Sequence, residues 1–217
     1  MNRIIFLVDG FNVYHSVVEA SYYLGGASTK WLDIYSLCSS YLPLIAKDAK
    51  IERVYYFSAL ATHLQRSDPG KVARHQAYIE CLRSKGIEEI MGRFKPREAF
   101  CHNCKHRFIR HEEKETDVAI ATKLLEIFHN NECDSVVLMT GDTDLSPAIE
   151  TAIKLFPNKN ILCIFPFNRF NNELKSLLQS HFKKCCYIIK AKTYVKHQFP
   201  DPVTLPDGKR IAKPSTW

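Results

Sequence analysis

Five apolar residues run without interruption from Ile4 to Val8 and stop at Asp9. The run is too short for a buried helix and has no polar residues at alternate positions, so it reads as a strand covered on both faces. Similar stretches follow at 53–58, 87–92, 135–140, 160–166 and 186–190, with helical patterns between them at 33–46, 71–84, 116–130, 145–155 and 171–179. In 71–84, Val72, Ile79 and Leu82 share one face, with Ala73 and Ala77 nearby. After Thr116, Val118, Ala121, Leu125 and Phe128 recur at three- and four-residue steps, the period of a buried helical stripe. Strands alternating with helices need right-handed crossovers. They predict an α/β, Rossmann-like three-layer sandwich, with a mostly parallel central sheet and helices on both faces.

A length of 217 residues suits one domain with an added element or tail. No stretch approaches the ~20 apolar residues of a membrane span. The first apolar run is also too short for the core of a signal peptide, so a cytoplasmic protein with no membrane partner is expected. Eight cysteines in that compartment are expected as thiols. Cys38, Cys81, Cys133 and Cys163 lie among apolar residues and read as small core side chains. The domain is expected over 1–190, broken by an insertion at about 94–113, and followed by a basic, Pro-containing tail over 191–217. Within that tail Pro206-Asp207-Gly208 is a turn signal, so the segment is expected to fold back as a hairpin or wrap the domain.

The carboxylates narrow the function. In an open parallel sheet, ligands bind beyond the carboxyl ends of the strands. Asp9 ends the first strand, and Asp142 and Asp144 follow the strand at 135–140. Asp117 lies in the first turn of a helix that Thr116 is expected to cap, and Ser146 and Pro147 open the next helix. Singly, each acid has a plain structural role as helix cap, first-turn acid or turn residue. Together, four carboxylates in one cleft would repel and raise each other's pKa unless a cation neutralised them. Oxygen ligands with no histidine among them favour Mg²⁺ or Mn²⁺ over zinc. The net charge of +7, with seven lysines and one arginine against two aspartates from Lys183 onward, favours a polyanionic partner.

"FLVDGFNVY", "EKETDVAIATKLL" and "VVLMTGDTDLSPAIE" resemble, in order and spacing, the three motifs of the NYN domain in its LabA-like branch. The resemblance implies a PIN-like fold of the metal-dependent ribonuclease class over roughly residues 1–186. It also implies that Asp9, Asp117, Asp142 and Asp144 gather around a divalent ion. Asn12 matches the motif asparagine and would orient Asp9, a ligand or a substrate phosphate. "FPFNRFNNEL", which holds Arg169, resembles a later segment whose polar residues face the same cleft. The expected activity is endoribonucleolytic, by metal-activated water acting on single-stranded RNA. The alternatives are a non-catalytic RNA-binding or regulatory module of the same fold and a small-molecule phosphatase.

The insertion adds two features. Cys101 and Cys104 supply half of a tetrahedral zinc site, with His102, His106 and His111 as candidates for the rest. The alternative is a free dithiol in a surface loop. Arg93, Lys95, Arg97, Lys105, Arg107 and Arg110 are interleaved with Phe94, Phe100 and Phe108, a composition suited to clamping single-stranded RNA. Arg93, Lys95, Arg97, Lys114 and Arg169 are the expected RNA-binding side chains. Oligomeric state is left open, a homodimer being one arrangement the sequence allows.

Overall fold

The computed structural model describes residues 2–217. The first half of the chain runs β1 (Asn2–Asp9), α1 (Gly10–Tyr23), α2 (Ile34–Ile45), β2 (Ala49–Ser58), α3 (Pro69–Ser84) and β3 (Ile87–Met91). A hairpin of β4 (Arg93–Phe100) and β5 (Arg107–Lys114) follows, then α4 (Thr116–His129), β6 (Ser135–Met139) and α5 (Ser146–Leu155). The chain continues through β7 (Asn160–Phe165), α6 (Asn172–Gln179), β8 (Cys186–Ile188), α7 (Ala191–Lys196), β9 (Val203–Thr204) and β10 (Arg210–Ile211).

All six apolar runs become the central sheet, in spatial order β3-β2-β1-β6-β7-β8, with every pairing parallel. Its direction of growth reverses at β1, which pairs with β2 on one side and β6 on the other. That reversal opens a crevice at the carboxyl ends of β1 and β6, where an α/β sheet binds ligands. Right-handed crossovers put α1, α2 and α3 over one face and α4, α5 and α6 over the other. The α4–α5 and α5–α6 contacts are those of neighbours on one face. Ile4 to Val8 are buried, so the strand tip that carries Asp9 is held by packing on both sides.

Four expectations need correction. Asp9-Gly10 is a helix start rather than a loop turn, because the Asp9 carboxylate caps α1. Gly10 is demanded by space: a Cβ there would lie 2.4 Å from the Phe57 carbonyl oxygen. On α4 the buried stripe is Thr116, Ile120, Leu124, Ile127 and Phe128, and Val118 is 69% exposed. The sequence period was right and its phase wrong, since apolar residues occupy most positions of this helix. Thr116 is the first helical residue and not the cap. Glu115 holds the cap position in a left-handed conformation (φ 85°), and the Glu113 carboxylate accepts from the Thr116 N–H and hydroxyl. Finally, Ala73 on α3 is exposed, although Val72, Ile79 and Leu82 are buried as expected.

The tail folds back on the domain. β9 and β10 pair antiparallel around Pro206-Asp207-Gly208. Phe199 N–H donates to the Trp31 carbonyl at 2.8 Å, and the Trp31 ring, fully buried, meets Phe199 and Trp217. All eight cysteines are free thiols, and Cys38, Cys81, Cys133 and Cys163 are buried. Among the described residues no helix is long and apolar enough to cross a membrane.

Candidate metal centre

Parallel pairing of β1 with β6 brings the tips of these strands together, and α4 enters the same crevice with its first turn. Asp117, Asp142 and Asp144 each present a carboxylate oxygen there, all within 4.8 Å of one another. Among the described residues the Asp117 and Asp144 carboxylates accept no hydrogen bond, so their lone pairs are available. Asp142 uses one oxygen to accept from the Asp144 N–H at 3.0 Å, which starts the short helical turn Thr143–Leu145. Neither Asp117 nor Asp144 is occupied as a cap.

Asp9 stands apart from this trio. It is 3% exposed, and both oxygens are engaged. One accepts from the N–H groups of Phe11 and Asn12, at 3.1 and 3.0 Å. The other accepts from Asn12 Nδ2 at 2.7 Å and Thr140 Oγ1 at 2.8 Å. Four donors make Asp9 the support beneath the cleft. Asn12 links it onward, its Oδ1 accepting from Gly141 N–H at 3.2 Å. Thr140 is a bridge: the hydroxyl that donates to Asp9 also accepts from Asp142 N–H at 3.1 Å.

Charge accumulates as a cation site requires. Burial, then the neighbouring Asp142, Asp9, Glu113 and Asp144, push the Asp117 carboxyl up to about 6. Burial also raises Asp9, against the lowering effect of its hydrogen bonds. Glu113 was not anticipated as a member of this neighbourhood. Its signal was available, since it belongs to the same "EEKETD" run as Asp117.

The crevice opens as a groove of about 490 Å³ lined by Phe11, Asn12, His15, Asp142, Thr143 and Arg169. Arg169 lines it with its guanidinium turned to Glu19 in an ion pair. The hairpin alternates by face, because directly opposed residues share a side. Arg93 and Lys114, Lys95 and Glu112, and Arg97 and Arg110 line one face; Phe94, Pro96, Glu98, Ile109 and His111 line the other. On the basic face Arg93 and Lys95 pair with Glu115, and Arg97 and Lys114 with Glu112. All five expected RNA-binding side chains therefore have carboxylate partners. Exposed pairs of this kind are worth ~0–1 kcal/mol and yield readily to phosphate. Cys101 and Cys104 lie at the hairpin's turn. Among the described residues neither joins a group of three His, Cys, Asp or Glu side chains within one ion's reach.

No significant match was found among curated proteins. The family model of the NYN domain matches residues 3–184, which spans the six-stranded sheet up to β8 and every acid of the cleft. The chain belongs to the NYN domain family, whose PIN-like α/β fold is of nuclease type.

Proposed function

We propose that the chain is a divalent-metal-dependent endoribonuclease of the LabA-like branch, acting on single-stranded RNA in the cytoplasm. The observation that carries this reading is the convergence of Asp117, Asp142 and Asp144 from two separate segments on one point of the crevice. The donor set fits Mg²⁺ or Mn²⁺: three carboxylates, no histidine and no thiolate. Bound there, such an ion would neutralise charge developing on the phosphate and lower the pKa of a water molecule. Asp117, Asp142 and Asp144 would hold it. Asp9, Asn12 and Thr140 fix the backbone from which Asp142 projects. The basic hairpin face and Arg169 offer phosphate contacts, exchanging glutamate partners for the RNA backbone. Residues 1–190 would form the catalytic unit, the 94–113 insertion its RNA-binding arm and 191–217 a brace. A structural zinc at Cys101 and Cys104 would take its remaining ligands from His102, His106 or His111 or from outside the hairpin.

The test is incubation with single-stranded RNA in Mn²⁺, Mg²⁺ or EDTA. Products that require a divalent ion are expected. Cleavage unchanged by EDTA would sink the reading, and salt-sensitive binding without products under any ion would favour the non-catalytic module instead.

The raised Asp117 carboxyl has a consequence for stability. Its folded value, about 6, exceeds its ordinary 3.8, so between these values the native state binds more protons than the unfolded one. Stability from this group is therefore greatest at low pH and is lost as pH rises through about 6. His75 and Asp134, both lowered, act in the opposite sense, so comparison with Asp117→Asn isolates the effect. In the absence of metal, the variant should melt above the wild type at pH 7.5, by about 2–4 °C per kcal/mol of relieved repulsion. The gap should narrow as pH falls below about 6 and close only near pH 3.8, where the carboxyl is protonated in both states, and at pH 7.5 Mn²⁺ should raise only the wild type appreciably. Equal melting temperatures at both pH values would refute the shift.

A further inference from the structure

We propose that the cavity beside the acidic groove is a nucleotide subsite, which takes an unpaired base and its phosphate from the RNA strand whose neighbouring bond lies at the acidic centre. This rests on the ribonuclease reading. The cavity, of about 630 Å³, lies between α1, the end of β2, α3 and the base of the hairpin. Its volume suits a nucleotide. Phe11 and His15, one turn apart on α1, line both this cavity and the acidic groove. One strand can thus occupy both by crossing a single helical turn.

The walls have the chemistry of single-strand recognition, which pairs aromatic faces for bases with cations for phosphates. Phe11 and Phe94 meet edge to face at 5.9 Å on one side, and Tyr14 lies beside them. Tyr14 is 41% exposed, so the core makes little demand on its ring. Lys30 and Lys71 line the cavity, and among the described residues neither has a carboxylate within ion-pair distance. Arg74 lies 3.7 Å from Asp68. The two acids of the lining are already engaged: Asp68 caps α3 and faces Arg74, and Glu113 accepts from Thr116. The cavity therefore presents net positive charge a short distance from a negatively charged centre, which suits an anion passing between them. At its wall, His75 Nε2 lies 3.3 Å from the Ser58 hydroxyl. Burial keeps this imidazole neutral, with its pKa down at about 4, so it offers a base edge a polar contact without charge. A base stacked inside a duplex cannot enter such a space, so the subsite selects single strands.

Fluorescence anisotropy with a labelled single-stranded oligoribonucleotide, in EDTA so that nothing is cut, reads the subsite apart from catalysis. Tyr14→Ala and Lys71→Ala both alter exposed side chains, and unchanged melting would verify their folds. Each should weaken binding on the order of tenfold. Lys71→Ala should also flatten the slope of log affinity against log salt by about 0.7. A duplex of the same sequence should compete at least about tenfold less well. Wild-type affinity in both variants, or equal competition by duplex, would overturn the subsite. Cleavage in Mn²⁺ is scored separately. Products with unaltered variant binding remove the subsite and leave the ribonuclease reading. Weakened variant binding without products in any ion keeps the subsite and removes that reading.

Discussion

Asp142→Asn is expected to lower metal-dependent RNA cleavage by at least about 100-fold while leaving the protein folded. The substitution keeps the shape of the side chain. Its remaining carbonyl oxygen can still accept from the Asp144 N–H, the 3.0 Å bond that starts the turn at Thr143–Leu145. What it removes is one of three charges that meet within 4.8 Å, and with it one oxygen donor of the proposed ion site. The lost charge is also one that raises Asp117, so the metal-free variant should be at least as stable as the wild type. Asp9→Asn should behave differently. Asp9 receives four hydrogen bonds, two on each oxygen, and an amide offers a single acceptor oxygen. Its NH₂ would face two donors wherever it turned, so this variant should lose stability as well as activity, by ~1–3 kcal/mol. Cleavage assays with melting curves on the same samples separate the two. Wild-type activity in Asp142→Asn would end the metal-centre assignment.

The different fates of these two aspartates mark the limit of what the residues alone could say. The six strands were legible because unbroken apolar runs of this length have few uses other than a sheet buried on both faces. The meeting of acids at the ends of β1 and β6 followed only on the condition that these strands are neighbours, which the sheet order meets. Which oxygens are free did not. "VDGFN" places an aspartate two and three residues ahead of N–H groups, which fits a cap and a ligand equally well. In the structure it is a cap, with Gly10 packed against the Phe57 carbonyl and Asp9 accepting from the N–H groups of Phe11 and Asn12. A signal for α1 was present in Val13, Val17 and Ala20, spaced for one helical face and all buried. The ion pairs on the hairpin were not legible for another reason. Alternation puts Arg93, Lys95 and Arg97 on one side, but which carboxylates reach them, Glu112 across the hairpin and Glu115 just after it, depends on register and packing, which local sequence does not set.

Gly141→Ala is expected to damage both fold and centre, and it tests whether the spacing of the loops is what aims Asp142. Gly141 has no special backbone angle; its constraint is room. A Cβ there would lie 1.9 Å from the Arg169 carbonyl oxygen and 2.9 Å from its carbonyl carbon. Both obstacles are backbone, so no side chain can swing away, and the 141–144 loop or the segment through Arg169 must shift. Such overpacking costs about 1–3 kcal/mol, and at this length each kcal/mol lowers the melting temperature by about 2–4 °C. The shift would also pull Gly141 N–H from Asn12 Oδ1 and disturb the Thr140 bridge between Asp9 and Asp142. The three carboxylates would then no longer share one point. Stabilisation by Mn²⁺ should therefore fall together with cleavage, although no acid has been changed. A variant that melts lower yet keeps full metal-induced stabilisation would show that Asp142 is held by its own turn alone, and that the contact between the two loops is irrelevant to the centre.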